Sequence, residues 1–458
     1  MKILFCNKYF FLNGGTEKYL YNTMKYLAAR GHTAIPFSVR YASSWPSEYQ
    51  DYFLDPPGDP AQAHLGSIRF TPANILRFLD RSTYSIEARI KLNRLLCAVQ
   101  GADIAYVLNI YNYMSPSIFH TLKRHHIPIV MQIGDYNLIC PGYSLLRQGN
   151  PCTLCVQGQY YHGLRHRCVK NHTAASAVRV AAMYLHRLIG IYDLVDAVVV
   201  PCEFMKTMLT QGGFSEKKLH LLPYPVERRQ EGDRRKGREG EGRRAGEKRS
   251  ERRIQVLQYP VERTTDRDKT WPKKNYIVYF GRISYEKGID TLVDAFQKLN
   301  PDGIDLHIIG RSYDDEAQRL QERILPHMKP RIHFPGFMSG KTLTQWIAEA
   351  LFSVVPSRWY DNAPLSIYES FLYGTPVAAS RIGGIPEQVQ DGVTGWLFTP
   401  NDSDDLAQKM AMMLSDRKRL MDMGAAGKSF VREKLLISDQ MDKLVHLFED
   451  VISDYKRR

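Results

Sequence analysis

The chain of 458 residues contains no apolar run approaching the ~20 residues that cross a bilayer, so a membrane-spanning helix is not expected. Its first residues, Met1-Lys2-Ile3-Leu4-Phe5-Cys6-Asn7-Lys8, hold too short an apolar stretch for an export signal and fit a first β-strand instead. A cytoplasmic location is therefore the default expectation, and the seven cysteines are read as thiols or metal ligands rather than disulfides. Nothing marks a Ser-His-Asp triad or a Walker phosphate loop. No D-x-D motif of the metal-carboxylate type stands at a strand end. What is present is the composition of an ordinary globular protein, 44% hydrophobic and 24% charged, in a chain long enough for two domains.

The net charge of +14 invites a nucleic-acid reading. Much of it is local, however. Between Arg228 and Arg253 twelve Lys/Arg face six Asp/Glu, which leaves +8 for the rest of the chain. That remainder suits an enzyme visiting anionic membrane surfaces, and no nucleic acid is expected as a partner. The Arg/Gly/Glu-rich segment has no apolar periodicity and reads as disordered. It is flanked by a direct repeat: Tyr224-Pro225-Val226-Glu227-Arg228 returns as Tyr259-Pro260-Val261-Glu262-Arg263. Removing one copy with the intervening residues leaves an ordinary linker. Residues 229–263 are therefore read as an insertion, tolerated because lengthening a flexible loop costs little closure entropy. A basic tether to membrane or RNA is the other reading, and it does not account for the repeat.

On either side of the linker, strands alternate with helical stretches, the pattern of doubly wound α/β domains. Expected strands are Ile3–Cys6, Ala34–Val39, Ile104–Leu108, Ile127–Gln132, Ala197–Val200 and Leu219–Leu222 in the first half. In the second they are Tyr276–Phe280, Leu306–Ile309, Arg331–Phe334, Phe352–Val355, Val377–Ala379 and Trp396–Phe398. The expected organisation is an N-terminal domain over 1–223, a linker with its basic insert over 224–270, a C-terminal domain over 271–435, and a last helix over 436–458 that packs back on the N-terminal domain. Met441, Leu444, Leu447, Phe448 and Ile452 give that helix its apolar face.

The chemistry is concentrated at glycine turns. Gly281-Arg282-Ile283-Ser284-Tyr285-Glu286-Lys287-Gly288 lies between an apolar strand and an amphipathic helix. A helix N-terminus flanked by Arg and Lys is a place to hold a diphosphate. Gly14-Gly15-Thr16-Glu17 opens a helix after the first strand in the same manner. Asp361-Asn362-Ala363-Pro364-Leu365-Ser366-Ile367-Tyr368-Glu369 places one carboxylate before a helix and another two turns inside it. Asp361 can equally be a cap and Glu369 an exposed helical residue. But Glu369 sits among Leu365, Tyr368, Phe371 and Leu372, and a buried carboxylate needs partners such as sugar hydroxyls. Gly383-Gly384-Ile385-Pro386-Glu387 reads as a loop at a strand's carboxyl end, where open α/β sheets bind ligands. Cys140, Cys152, Cys155 and Cys168, with His162, His166 and His172 nearby, admit either a structural zinc site or unligated thiols.

These residues resemble those of family 4 glycosyltransferases, over nearly the whole chain except the basic insert and most closely from Tyr276 to Gly395. The resemblance implies the GT-B fold, two Rossmann-like domains facing a central cleft. It implies that Arg282 and Lys287 hold the donor diphosphate, that Glu369 binds the nucleotide ribose, and that Asp361 lies against the donor sugar. Gly14, Gly15, Asn362, Ala363, Pro364 and Leu365 complete the expected donor site, and Asp361 and Asp135 are the expected catalytic residues. Asp361 stands where the family motif has Glu, one methylene longer. Gly134-Asp135-Tyr136 stands where many relatives have His-Asp-Tyr, so a side chain near the transferred sugar is missing. Asp391-Gly392-Val393-Thr394-Gly395 also matches, and the cysteine cluster recurs in relatives.

The function implied is retaining transfer of a sugar from a UDP- or GDP-type donor to a saccharide or lipid-linked saccharide, in surface polysaccharide or glycoconjugate synthesis. No cofactor is required for catalysis, a structural zinc is the one metal considered, and association with the inner membrane face is peripheral. The rival readings are a nucleotide-sugar epimerase-like enzyme on the same fold and a non-catalytic basic binding protein.

Overall fold

The computed structural model describes residues 1–56, 79–226, 271–312 and 314–458. The insert at 229–263 and the second copy of the repeat lie outside the described residues.

The apolar runs form two parallel sheets of six strands each. The first comprises β1 (Lys2–Cys6), β2 (Thr33–Phe37), β3 (Ile104–Val107), β4 (Ile129–Gln132), β7 (Ala197–Val200) and β8 (Leu219–Leu221), in the order β2-β1-β3-β4-β7-β8. Between β4 and β7 a two-stranded ribbon, β5 (Leu146–Arg147) and β6 (Asn150–Pro151), carries the cysteine region. The second sheet comprises β9 (Tyr276–Phe280), β10 (Asp305–Ile309), β11 (Ile332–Gly336), β12 (Ser353–Val355), β13 (Val377–Ser380) and β14 (Gly395–Phe398), in the order β11-β10-β9-β12-β13-β14. The strand order therefore reverses between β1 and β3 in one sheet and between β9 and β12 in the other. At such a switch point neighbouring connections leave on opposite faces, and a crevice opens at the strands' carboxyl ends.

The inner strands β3, β7 and β9 are buried on both faces and so are apolar rather than alternating, whereas β10 and β11 at one edge are partly exposed. In β1, Leu4 and Cys6 enter one core with Leu92, Leu95, Phe119 and Met205, while Ile3 and Phe5 enter another on the opposite face. That second core is closed by helix Gly15–Ala29 and, from the far end of the chain, by helix Ile437–Arg457. Met441, Leu444 and Phe448 are fully buried there, and the Phe448 ring meets Tyr106 edge-on at 5.3 Å.

The chain thus passes between the halves twice, and the two crossings are tied together. Val226 N–H donates to the Leu435 carbonyl at 2.7 Å, and Ile437 N–H to the Val226 carbonyl at 3.0 Å. Among the described residues no helix is long and apolar enough to cross a membrane.

Candidate functional site

The carboxyl ends of β9 and β12 carry the two motifs that stand eighty residues apart in sequence, and the switch point brings them together. After β9 the chain makes a one-turn helix, Tyr285–Lys287, and enters helix Ile289–Leu299 through Gly288 at φ +64°. A Cβ there would lie 2.1 Å from the Pro356 carbonyl oxygen, in the loop after β12. Only glycine permits that approach, and it sets Lys287 against the second motif. Lys287 Nζ lies 2.6 Å from Asp361 Oδ2, which also accepts from Ser357 Oγ at 2.9 Å. Asp361 is 3% exposed, a buried carboxylate whose charge is matched by the ammonium and a hydroxyl. Arg282 turns instead to Glu286, one turn further on.

The loop Gly383-Gly384 closes over this segment. Gly384 N–H donates to the Asp361 carbonyl at 2.8 Å, and a Cβ on Gly384 would lie 1.9 Å from the Asn362 carbonyl oxygen. The segment expected as a loop ends in a short helix, Ile385–Gln388.

The other wall comes from the N-terminal half. Helix Gly15–Ala29 begins at Gly14, and helix Leu365–Leu372 begins at Pro364. The two beginnings face each other, since a Cβ on Gly15 would stand 3.2 Å from Leu365 Cδ1. Neither N-cap residue bonds its helix through a side chain, although the Glu17 carboxylate accepts from the Gly14 and Glu17 N–H groups at the start of the first. Lys18 reaches across to Glu369, Nζ to Oε1 2.5 Å, with the Glu369 side chain 26% exposed. Asn362 Nδ2 donates to the Gly134 carbonyl, while its Oδ1 accepts from Ala363 N–H at 2.7 Å. Glu387 accepts from the N–H groups of Glu203 and Phe204 at 2.7 and 2.8 Å and so caps helix Glu203–Gln211 of the opposite half.

Asp135 is held within its own loop. Its oxygens accept from the N–H and Nδ2 of Asn137 at 3.0 and 2.8 Å. Burial raises its pKa, opposed by these bonds and by Lys8. The space that a side chain at Gly134 would begin to fill is taken by the Tyr224 hydroxyl, 3.2 Å from the Cβ position, and that hydroxyl accepts from Gln132 Nε2 at 3.1 Å.

Three cleft residues escape the sequence reading. Lys8, two residues beyond β1, is lowered in pKa by burial and faces Glu17, Asp135 and Arg282. Glu17 is 4% exposed, accepts from Asn7 and is raised in pKa by burial. Lys18 carries the reach to Glu369. Their signal in the sequence is position, Lys8 just past the first strand, and Glu17 and Lys18 in the first turn of the helix that follows.

The four cysteines of the 140–168 region are all free. Burial pushes the Cys140 thiol up to about 11 and the Cys155 thiol up to about 12, with a further rise in each from the neighbouring cysteines. Among the described residues, though, the group whose ligand atoms all lie within 4.8 Å of one another is Asp305, His307 and His333, not the cysteines.

Comparison with known proteins accords with this geometry. Residues 13–230 match the model of Glycosyltransferase Family 4, and residues 262–430 that of Glycosyl transferases group 1. The sulfoquinovosyl transferase SQD2 of Arabidopsis thaliana is 31% identical over 160 residues, 34% of this chain and 30% of that protein. The lipopolysaccharide core biosynthesis mannosyltransferase LpsB of Rhizobium meliloti is 26% identical over 189 residues, 40% of this chain and 53% of that protein. These matches span well under two thirds of either relative. Among solved structures, Anabaena HepE in complex with UDP superposes with a TM-score of 0.62 at 15% identity, covering 98% of this chain and 100% of that one. Sucrose-phosphate synthase from Thermosynechococcus elongatus superposes with a TM-score of 0.65 at 16% identity, covering 99% of each chain. With both halves matched in sequence and the whole chain in fold, the protein belongs to the glycosyltransferases of the GT-B fold, family 4 in its N-terminal half and group 1 in its C-terminal half.

Proposed function

We propose that the protein transfers a sugar, with retention, from a UDP- or GDP-type donor bound between the two sheets to a saccharide or lipid-linked saccharide, in surface polysaccharide or glycoconjugate synthesis. The observation that carries this reading is the pair of helix beginnings, at Gly15 and Leu365, facing each other with Lys18, Lys287 and Arg282 close by. Two helix dipoles and three cations, each now paired with a carboxylate, border one cleft, which is the chemistry that receives a diphosphate once those pairs exchange. The UDP complex of HepE, and a further one of the same protein with UDP-glucose, favour the uridine donor.

In this mechanism the diphosphate takes over Lys287 and Arg282 from Asp361 and Glu286. As the sugar–phosphate bond breaks, the developing negative charge on the leaving diphosphate is met by these cations and by the backbone N–H groups. The acceptor hydroxyl attacks from the same face, and its proton passes to the departing phosphate oxygen. Asp361, freed from Lys287, is placed for the donor sugar, and Glu369, freed from Lys18, for the ribose hydroxyls. The Glu387 cap and the Asn362–Gly134 bond hold the halves closed and keep water from the reacting centre.

The acceptor side falls to the N-terminal half. Tyr161, Leu164, Tyr184, Leu185 and Leu188 are exposed there, alongside exposed Arg165, Arg167 and Arg187. That mixture supports a peripheral encounter with an anionic membrane carrying the acceptor. The same reading includes a structural zinc ion on Cys140, Cys152, Cys155 and Cys168, whose thiols would draw together and lose their protons on binding.

The test is donor binding and turnover over a panel of UDP- and GDP-sugars with wild type, Arg282→Ala and Glu369→Ala. Saturable binding of one donor, weakened in both variants, is the expected result. A folded protein that binds none of them overturns the reading.

A further inference from the structure

A second constellation lies away from the cleft, on the edge of the C-terminal sheet. Asp305 and His307 are two residues apart on β10, so their side chains share a face, and the parallel register sets His333 of the edge strand β11 directly beside His307. The intervening residues Leu306 and Ile308 point into the apolar core of the other face. The three ligand-type side chains therefore share one partly exposed face at the sheet's edge. One ligand atom from each of the three lies within 4.8 Å of the other two, and His333 Nε2 stands 3.7 Å from Asp305 Oδ2.

Two further observations bear on what this group is for. His307 Nδ1 is buried without a hydrogen-bond partner, although buried ring nitrogens are ordinarily bonded. The two histidines also border an open hollow of about 690 Å³, rimmed by Gln321, Lys329, Phe334 and Trp346, which leaves an entry path and room for water ligands. Trp346 packs on the His307 ring at 4.5 Å and Tyr276 meets it edge-on at 5.2 Å, so the first histidine is held from behind.

We propose that Asp305, His307 and His333 bind a divalent transition ion of the zinc class, which staples the edge strand β11 to β10. Two imidazoles and one carboxylate are a donor set for Zn²⁺, Co²⁺ or Ni²⁺, with the remaining positions left to water. The imidazoles lie stacked 4.7 Å apart at 20°, and binding turns the partly exposed His333 ring out of the stack toward the held His307. This site is independent of the cleft: β10 presents Asp305 as its first residue, at the end of the sheet opposite the strands' carboxyl termini.

The experiment is a Co²⁺ titration followed by absorbance, with Zn²⁺ calorimetry and thermal unfolding in parallel, on wild type, His333→Ala, Asp305→Asn and His307→Ala. Co²⁺ on cysteine thiolates gives an intense ligand-to-metal band, so ions held by the cysteines are counted apart. The expected result is one equivalent bound without that band, weakened at least tenfold in His333→Ala and in His307→Ala, with the Zn²⁺-induced rise in Tm lost alongside it. His333 and Asp305 are 38% and 45% exposed, so their variants keep the fold should His307→Ala lose it. Identical metal stoichiometry and affinity in wild type, His333→Ala and Asp305→Asn would overturn the proposal.

Discussion

At Lys287 a single ammonium faces a buried carboxylate, Asp361, and stands 5.3 Å from the ring centroid of Trp359. In the donor-free protein it neutralises Asp361, and in the proposed complex it moves to the diphosphate. Lys287→Ala removes both roles, and kcat/KM for the donor should fall by roughly a hundredfold, about 2.7 kcal/mol of transition-state stabilisation. Steady-state kinetics on the donor found by the panel reads this directly. A different residue sets part of the acid stability. His186, 2% exposed, donates Nε2–H to the Thr83 carbonyl at 2.6 Å, and burial pushes its pKa down from 6.5 to about 4. The folded state keeps the ring neutral while the unfolded chain protonates it, so this contribution is complete above pH 6.5 and is lost as pH falls toward 4. Urea unfolding of His186→Gln between pH 4 and 7 should show a shallower loss of stability with acid than wild type.

Among the elements, the turn between β9 and helix Ile289–Leu299 carries the tightest constraint. Gly288→Ala combines a left-handed φ with a Cβ 2.1 Å from a backbone oxygen. It should cost roughly 1–3 kcal/mol, and by displacing Lys287 it should lower activity more than the stability loss explains. Denaturant melts beside kinetics separate the two effects. All twelve strands of the large sheets were legible in the sequence, each to within two residues at either end, because strands buried on both faces read as short apolar runs between glycine and polar breaks. Arg282 and Lys287 were legible from the glycine turn after β9, and Asp361 from its place before helix Leu365–Leu372. What could not be read was which cation meets which carboxylate. Lys18 finds Glu369 across 351 residues and Lys287 finds Asp361 across 74, and such pairings depend on two sheets meeting rather than on any local pattern. The ribbon β5–β6 was missed for a related reason: two-residue strands carry no periodicity.

For the molecule as a whole, the two crossings decide how the halves are held. Val226 and Leu435–Ile437 form the hinge, and Lys18–Glu369, Asn362–Gly134 and Glu387 with helix Glu203–Gln211 form the clasp. Deleting residues 229–263 should leave activity within about twofold of wild type, because closure entropy changes only slowly with the length of a connection; turnover by the deletion variant checks this. Phe448→Ala should cost about 3–5 kcal/mol, although the residue belongs to a helix that follows the C-terminal sheet, because its ring fills the core of the N-terminal sheet. Differential scanning calorimetry should show the whole transition shifting down. That placement also has a consequence for synthesis. The first strand leaves the ribosome more than four hundred residues before the helix that covers one of its faces. Until then, Ile3, Phe5 and Tyr106 lie on a face that helix Gly15–Ala29 covers only in part. The earliest part of the chain is therefore among the last to finish folding, and a nascent chain stalled before residue 437 would carry that exposed face as a binding surface for chaperones.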